Sequence, residues 1–298
     1  MSDDKILIIG AGGMLGHALS VHAGERAIGM SRAECNFLEA GFLQELERVY
    51  DQTPFAAVIN AAAYTAVDAA EGEDGGHLLR INAVAPGEMA SWCAKHDMPF
   101  VHFSTDYVFD GSGEKPWRED DDTAPLNAYG RSKLAGERAV KAAGGKHLIF
   151  RTSWLYSGRG KNFLTTMRKV MREKEELAVV CDQVGAPTFA PHLAVASLRA
   201  LEAARRLPEF PSGIYHLCNS GEASWHRFAQ AIWEAEQERG AQLSCTRIRP
   251  ISTAEYGAPA KRPLNSRLDC TRIRDTLDVW LPAWEVALRD CIELDGSA

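Results

Sequence analysis

Residues Lys5 to Ile9 form a short apolar run that ends in Gly10-Ala11-Gly12-Gly13-Met14-Leu15-Gly16, after which apolar residues recur at helical spacing. A strand that stops in a glycine turn and re-enters as a helix leaves few folds open. Gly10, Gly13 and Gly16 give G-x-x-G-x-x-G, where small residues let a pyrophosphate approach backbone N–H groups at a helix N-terminus. Gly10, Gly12, Gly13, Met14 and Leu15 are therefore candidate dinucleotide-binding residues. The plain alternative is a tight turn with close helix–strand packing; the strand–turn–helix context at the start of the chain favours the dinucleotide.

The alternation continues. Residues 26–30 read as strand, 38–50 as helix, 56–60 as strand, 83–95 as helix and 100–104 as strand, followed by a helix at 127–143 and a strand at 146–151. This pattern predicts an α/β fold built on a doubly wound parallel sheet of the Rossmann type, with residues 1–153 as its dinucleotide-binding domain. Beyond Trp154 the rhythm loosens into two helical stretches, short strands and proline-bearing loops. Residues 154–298 are expected to form mainly a smaller, discontinuous α/β substrate-binding lobe, with segments near 190–205 and 213–260 returning to the first domain. The run Glu119-Asp120-Asp121-Asp122 reads as a solvated loop.

Tyr129 and Lys133 lie four residues apart on the predicted 127–143 helix, so phenol and ammonium project from one face. The cation is expected to lower the phenol's pKa and ready it for proton transfer. The strand before that helix ends in Ser104-Thr105-Asp106, which delivers a hydroxyl to the carboxyl end of the sheet, where ligands of such folds bind. Tyr129, Lys133 and Thr105 are thus the candidate catalytic residues. At the end of the second strand the chain reads Met30-Ser31-Arg32, with no carboxylate to hold the adenosine ribose of NAD. Arg32 suits a 2′-phosphate and points to NADPH; the alternative, Glu34 on the ribose with Arg32 merely on the surface, keeps NADH open. Trp154, just after a strand, serves either as core packing or as a flat wall for a sugar or nicotinamide.

Composition narrows the partners. A net charge of -7 over 298 residues offers nothing to nucleic acid or to an anionic membrane surface. Seven scattered cysteines without a Cys-x-x-Cys pair read as reduced thiols of a cytoplasmic protein, and no spacing of Cys or His suggests a metal. The acidic start Met1-Ser2-Asp3-Asp4 runs straight into a strand and no apolar stretch reaches membrane-spanning length, so neither signal peptide nor membrane span is expected. Nine histidines show no catalytic or metal-binding pattern.

These motifs, together with Asn60-Ala61-Ala62-Ala63-Tyr64-Thr65-Ala66-Val67-Asp68, Ser104-Thr105-Asp106-Tyr107-Val108-Phe109-Asp110-Gly111, Arg151-Thr152-Ser153-Trp154, Asp182-Gln183-x-Gly185-x-Pro187-Thr188 and Arg262-Pro263-x-Asn265-Ser266, resemble the extended short-chain dehydrogenase/reductases. The likeness is closest to their branch that reduces dTDP-4-dehydro-L-rhamnose to dTDP-L-rhamnose, and it runs from about Lys5 to Leu294. The resemblance implies Tyr129 as proton donor, Lys133 as its partner and holder of the nicotinamide ribose, and Thr105 as the hydroxyl that binds the substrate oxygen. It places Gly13, Asn36, Phe37, Ala63, Tyr64 and Thr65 along the dinucleotide, with the neighbouring Ser31 and Ala62 as further cofactor-binding candidates. Thr105, Asp106, Tyr129 and Trp154 fall on the dTDP-sugar, with Arg262 and Asn265 near its diphosphate. Related 4,6-dehydratases carry Thr-Asp-Glu where this chain has Thr105-Asp106-Tyr107, and without that glutamate base the implied chemistry is reduction.

Two departures stand out. Some members dimerise through magnesium held by glutamates where this chain has Ala18 and Pro191, so a monomer or a metal-independent homodimer is expected. Asn36 replaces a usual aspartate. Two other readings stay open: a reductase or epimerase of another nucleotide sugar, and a non-catalytic regulatory subunit like the β subunit of methionine adenosyltransferase.

Overall fold

The computed structural model describes residues 4–39, 41–72 and 75–296. Its first half runs β1 (Ile6–Ile9), α1 (Met14–Ala23), β2 (Ala27–Met30), α2 (Phe42–Gln52), β3 (Ala57–Asn60), α3 (Val67–Ala70), α4 (Gly75–Leu79), α5 (Ala85–Lys95), β4 (Phe100–Thr105), α6 (Ala128–Ala142) and β5 (His147–Thr152). The second half holds β6 (Leu155–Tyr156), α7 (Phe163–Glu173), β7 (Glu176–Val180), β8 (Val184–Gly185), β9 (Thr188–Phe189), α8 (Ala190–Arg206), β10 (Gly213–His216), β11 (Ala223–Ser224), α9 (Trp225–Glu238), β12 (Arg247–Ile251), α10 (Thr253–Tyr256), β13 (Asn265–Ser266), α11 (Thr271–Leu277) and α12 (Trp284–Gly296).

A six-stranded sheet in the order β2-β1-β3-β4-β5-β10, parallel throughout, forms the centre of the molecule. The central strand β1 is an unbroken, fully buried apolar run because both faces of the sheet are covered. Ile6 and Ile8 turn toward α1, α8 and α11, where Leu15, Leu19, Leu193, Leu201 and Ile273 close one core. Leu7 and Ile9 turn the other way, against Phe42 and Leu46 of α2, Met89 and Cys93 of α5 and Val140 of α6. The predicted doubly wound α/β architecture is the one observed. A separate core around Tyr156, Leu164, Phe228, Ile232, Trp284 and Leu288 joins α7, α9 and α12 with β7, whose parallel partner is β12.

Several elements depart from the sequence pattern for local reasons. The helix expected from residue 38 starts at Phe42, because the Asn36 side chain accepts from Leu38 N–H in a turn and Gly41 is left-handed at φ 100°. The helix expected from residue 83 follows a π-helical turn, Arg80–Val84. Where two helical stretches were expected beyond Trp154, the described residues contain five helices of seven residues or more. Pro191 lies in the first turn of α8, where its missing N–H is harmless, so it opens that helix.

The acidic run is solvated at Asp120, Asp121 and Asp122, as expected, and only its first residue is a correction. Glu119 is only 8% exposed. Its carboxylate accepts from His216 N–H and lies 3.5 Å from Arg272. Asp120 also pairs with Arg272, and Asp121 accepts from Arg118 N–H.

Candidate active site

The glycine turn is shaped by close approach. An added Cβ at Gly16 would lie 2.1 Å from Gly10 O, and Gly10 itself is left-handed at φ 83° against the Ala62 backbone. Space beside Gly12 is open, and α1 begins after Gly13 without a side-chain cap. Its first N–H groups are thereby available to an anion. A cleft of about 550 Å³ runs past Gly12, Gly13, Met14, Arg159 and Gly160 without reaching Tyr129.

Arg32 is exposed at the end of β2 with no ion partner among the described residues, whereas Glu34 turns back to accept from Ser31 N–H at 2.7 Å. That bond holds the Glu34 carboxyl below its ordinary range. Of the two readings of this corner, the geometry favours Arg32 as the free group. Asn36 braces its own turn, its amide donating to Glu39, and Phe37 is buried against Phe42 with its carbonyl held by Arg80.

The loop 61–65 carries Ala62, Ala63, Tyr64 and Thr65 beside the glycine turn. Asn82, 1% exposed in the π-helical turn, ties this loop to α6: it accepts from Tyr64 N–H and donates to Tyr64 O and to the Ser132 hydroxyl. A π turn at such a clamp is a common mark of functional sites. Sequence reading missed Asn82, whose three contacts lie 18 and 50 residues away.

Thr105, Tyr129 and Lys133 come together at the carboxyl end of the sheet. Thr105 ends β4 and caps the turn that follows, accepting from Tyr107 N–H at 3.2 Å and donating to Asp106 Oδ1 at 3.0 Å. Asn127 caps α6, its side chain accepting from Gly130 N–H at 2.8 Å, which starts the helix one residue before Tyr129. The Thr105 side chain lies close enough to the Tyr129 phenol to act on its pKa. Burial pushes the phenol above its ordinary value, Thr105 opposes this, and the Asp106 charge adds to it.

Lys133, 2% exposed, does not offset that rise. Its Nζ lies 3.4 Å from His102 Nε2, and burial brings its pKa down to about 8 against the opposing charge of Glu137. The phenol lowering expected from the Tyr-x-x-x-Lys spacing is therefore not what this geometry produces. Glu137 is held by a buried bidentate pair with Arg151 at 2.7–2.8 Å and by the Ser104 hydroxyl.

The substrate side is more mixed. Asp106 is 2% exposed, its Oδ2 has no hydrogen-bond partner, and burial pushes its pKa up to about 7. Trp154 is left-handed at φ 49° and stacks on Trp225 at 3.7 Å, which leaves it 9% exposed. Arg262 pairs with Asp68 at 2.7 Å beside Tyr107. Asn265 is fully buried; its amide donates to the Ser112 and Lys115 carbonyls and accepts from Arg267. It builds the wall of the lobe and has no amide group left for a diphosphate, while Arg262 and Arg267 carry the nearby positive charge.

Among the described residues no group of three or more His, Cys, Asp and Glu is arranged to hold a metal. No described helix is long and apolar enough to cross a membrane.

Comparison with known proteins fits this arrangement. Residues 4–295 match the family model of the RmlD substrate binding domain. The dTDP-4-dehydrorhamnose reductase of Burkholderia thailandensis is 43% identical over 296 residues, covering 97% of this chain and 98% of that protein. The Escherichia coli K12 enzyme of the same name is 42% identical over 238 residues, 78% of this chain and 77% of that protein. Among solved structures, dTDP-4-dehydrorhamnose reductase from Bacillus anthracis in complex with NADP superposes with a TM-score of 0.87 at 32% identity, covering 98% and 99% of the two chains. With a family match over nearly its whole length and relatives above 40% identity, this chain belongs to the RmlD family, that of the dTDP-4-dehydrorhamnose reductases.

Proposed function

We propose that this protein reduces the 4-keto group of dTDP-4-dehydro-L-rhamnose to give dTDP-L-rhamnose. The observation that carries this reading is the assembly of the Tyr129 phenol, the Thr105 hydroxyl and the Lys133 ammonium at the carboxyl end of a dinucleotide-type sheet, in a chain whose relatives bear that activity's name. The turn around Gly12 and the uncapped start of α1 suit a pyrophosphate, and the free Arg32 suits a 2′-phosphate. NADPH, when bound, supplies the hydride for C4.

Tyr129 gives its proton to the oxygen on C4 as charge develops there, and Thr105 holds that oxygen. A phenol raised by burial stays protonated through the physiological range, so it is loaded as a donor before reaction. Lys133 in its charged form stabilises the phenolate left behind. Trp154 and Trp225 form a rigid aromatic block at the sugar end, and Arg262 and Arg267 face the diphosphate. The reaction belongs in the cytoplasm, where nucleotide sugars are made. Residues 1–153 with α8, β10 and α11 act as the cofactor domain; of the segment 213–260 expected to return to it only β10 joins the sheet, while α9 and β12 pack with α7 and α12 in the core that serves as the substrate lobe. Ala18 is buried and Pro191 has no ligating atom in its side chain, so any dimer forms without a metal at these positions.

The test follows loss of reduced-cofactor absorbance with purified protein and dTDP-4-dehydro-L-rhamnose, with NADPH and NADH side by side. Rapid oxidation with NADPH favoured is expected. Cofactor binding without turnover would move a regulatory role or another sugar nucleotide ahead. Tyr129→Phe should lower kcat by about 10²-fold or more while cofactor affinity holds; unchanged kcat would remove Tyr129 from the mechanism.

A further inference from the structure

Behind Lys133 lies a chain of buried polar groups that the reaction as described does not use. His102 on β4 is wholly buried, with Nε2 3.4 Å from Lys133 Nζ and Nδ1 3.2 Å from Asn60 Nδ2. Asn60 at the end of β3 is 1% exposed, and its Oδ1 accepts from Ala62 N–H at 3.1 Å. That last bond decides the rest. With Oδ1 committed to Ala62, the amide nitrogen faces His102, and an amide NH₂ only donates. Nδ1 must then be the unprotonated nitrogen, and the single proton of the neutral ring lies on Nε2, facing Lys133.

We propose that His102 is a positioning residue that biases the buried Lys133 toward its neutral amine, with Asn60 and the Ala62 N–H fixing the tautomer through which it does so. An ammonium has only donors, so an Nε2–H opposite it is a donor meeting a donor, whereas a neutral amine accepts that proton. The other tautomer would let Nε2 accept from the ammonium, but it would set Nδ1–H against the Asn60 amide. Flipping the amide would put NH₂ against Ala62 N–H. Whichever way the chain is drawn, one contact is lost when Lys133 is charged. The bias adds to burial, which already brings Lys133 down to about 8 and keeps His102 well below its ordinary value, hence neutral. The opposing group is Glu137 on α6, itself tied to Arg151 of β5 and Ser104 of β4; Asp106, in the turn after β4, acts on Tyr129. Because Ala62 belongs to the loop beside the glycine turn, the same chain joins the charge of Lys133 to the backbone of the cofactor site.

The catalytic consequence rests on the reading of Lys133 as the partner of Tyr129: kcat should fall on an alkaline limb as Lys133 loses its proton. In Asn60→Asp, a carboxylate accepts from both Ala62 N–H and His102 Nδ1–H, which frees Nε2 to accept from the ammonium. That limb should then move upward by about one pH unit, a tenfold change in the protonation constant. In a His102→Phe background the same Asn60→Asp change should leave the limb in place. A shift that persists there would be the direct effect of the new charge and would overturn the relay. Nitrogen-15 spectra of the histidine side chains read the tautomer without any reaction. In the wild-type protein His102 Nδ1 should be bare and Nε2 protonated, reversed in Asn60→Asp; the opposite tautomer in the wild type overturns the proposal even if the variants do not fold. Titration of the Lys133 side-chain carbon signals supplies the protonation constant if the sugar is not reduced, so failure of the relay and failure of the functional reading are separable.

Discussion

Gly130→Ala should disable the site while leaving the protein folded. A Cβ built at Gly130 would lie 2.2 Å from Tyr107 O and 3.0 Å from the Pro125 side chain. Atoms in ordinary contact are at least a further ~1 Å apart. The obstacle is backbone, in the turn that follows Thr105 and holds Asp106, so it cannot rotate aside as a side chain would. The turn and α6 must separate, and Tyr129, the residue before Gly130, moves away from Thr105 with the helix. Two energies oppose each other. Alanine inside a helix is worth about 1 kcal/mol over glycine, and overpacking costs roughly 1–3 kcal/mol, so net destabilisation should fall between about 0 and 2 kcal/mol. The rate should suffer more, since a displacement of ~1 Å in a reacting group can cost on the order of 10²-fold. Steady-state kcat, paired with thermal unfolding and cofactor titration, separates these effects. Gly72→Ala is the control, because its nearest neighbour is 3.9 Å from the built Cβ. If Gly130→Ala turned over at the wild-type rate, the spacing between α6 and the Tyr107 turn could not be what seats Tyr129.

Arg151→Met removes one partner of a pair whose side chains are 3% and 2% exposed, leaving Glu137 charged and buried. Denaturant unfolding should show a loss of about 3–5 kcal/mol, and a change below ~1 kcal/mol would mean that Glu137 takes up a proton instead. Arg32→Ala should weaken NADPH binding roughly tenfold or more and NADH binding far less, as loss of a charged hydrogen bond predicts; equal effects on both cofactors in fluorescence titration would refute the 2′-phosphate role. For Asp106, burial raises the folded-state pKa from 3.8 to about 7, so between those values the folded protein holds a proton that the unfolded chain has released. Wild-type stability should therefore decline as pH rises from about 4 to about 7. Asp106→Asn should lack that slope and gain on the wild type by at most about 4 kcal/mol above pH 7; parallel stability profiles for the two proteins would show that Asp106 ionises as easily folded as unfolded.

What could be read in advance was whatever depends on neighbours in sequence. The glycine turn, the apolar strands and the four-residue spacing of Tyr129 and Lys133 are local patterns, and each appears in the structure where its period placed it. The misreadings share one physical origin, a polar group whose partner lies far along the chain. Glu119 looked like part of a solvated run because Arg272 and His216 are about a hundred residues or more away from it. Resemblance alone sets Asn265 near a diphosphate, and nothing near it in sequence announces that its amide donates to the Ser112 and Lys115 carbonyls. The same distinction runs through the active site itself. Spacing determines that phenol and amine share a face, but the charge on that amine answers first to burial and then to groups from other parts of the chain: Glu137 of α6, His102 of β4 at 3.4 Å, and Asn60 of β3 acting through His102. Two chains could share the Tyr-x-x-x-Lys motif and differ in the charge behind the phenol, so in this fold the motif specifies the place of proton transfer and the buried polar chain specifies the pH range in which it works.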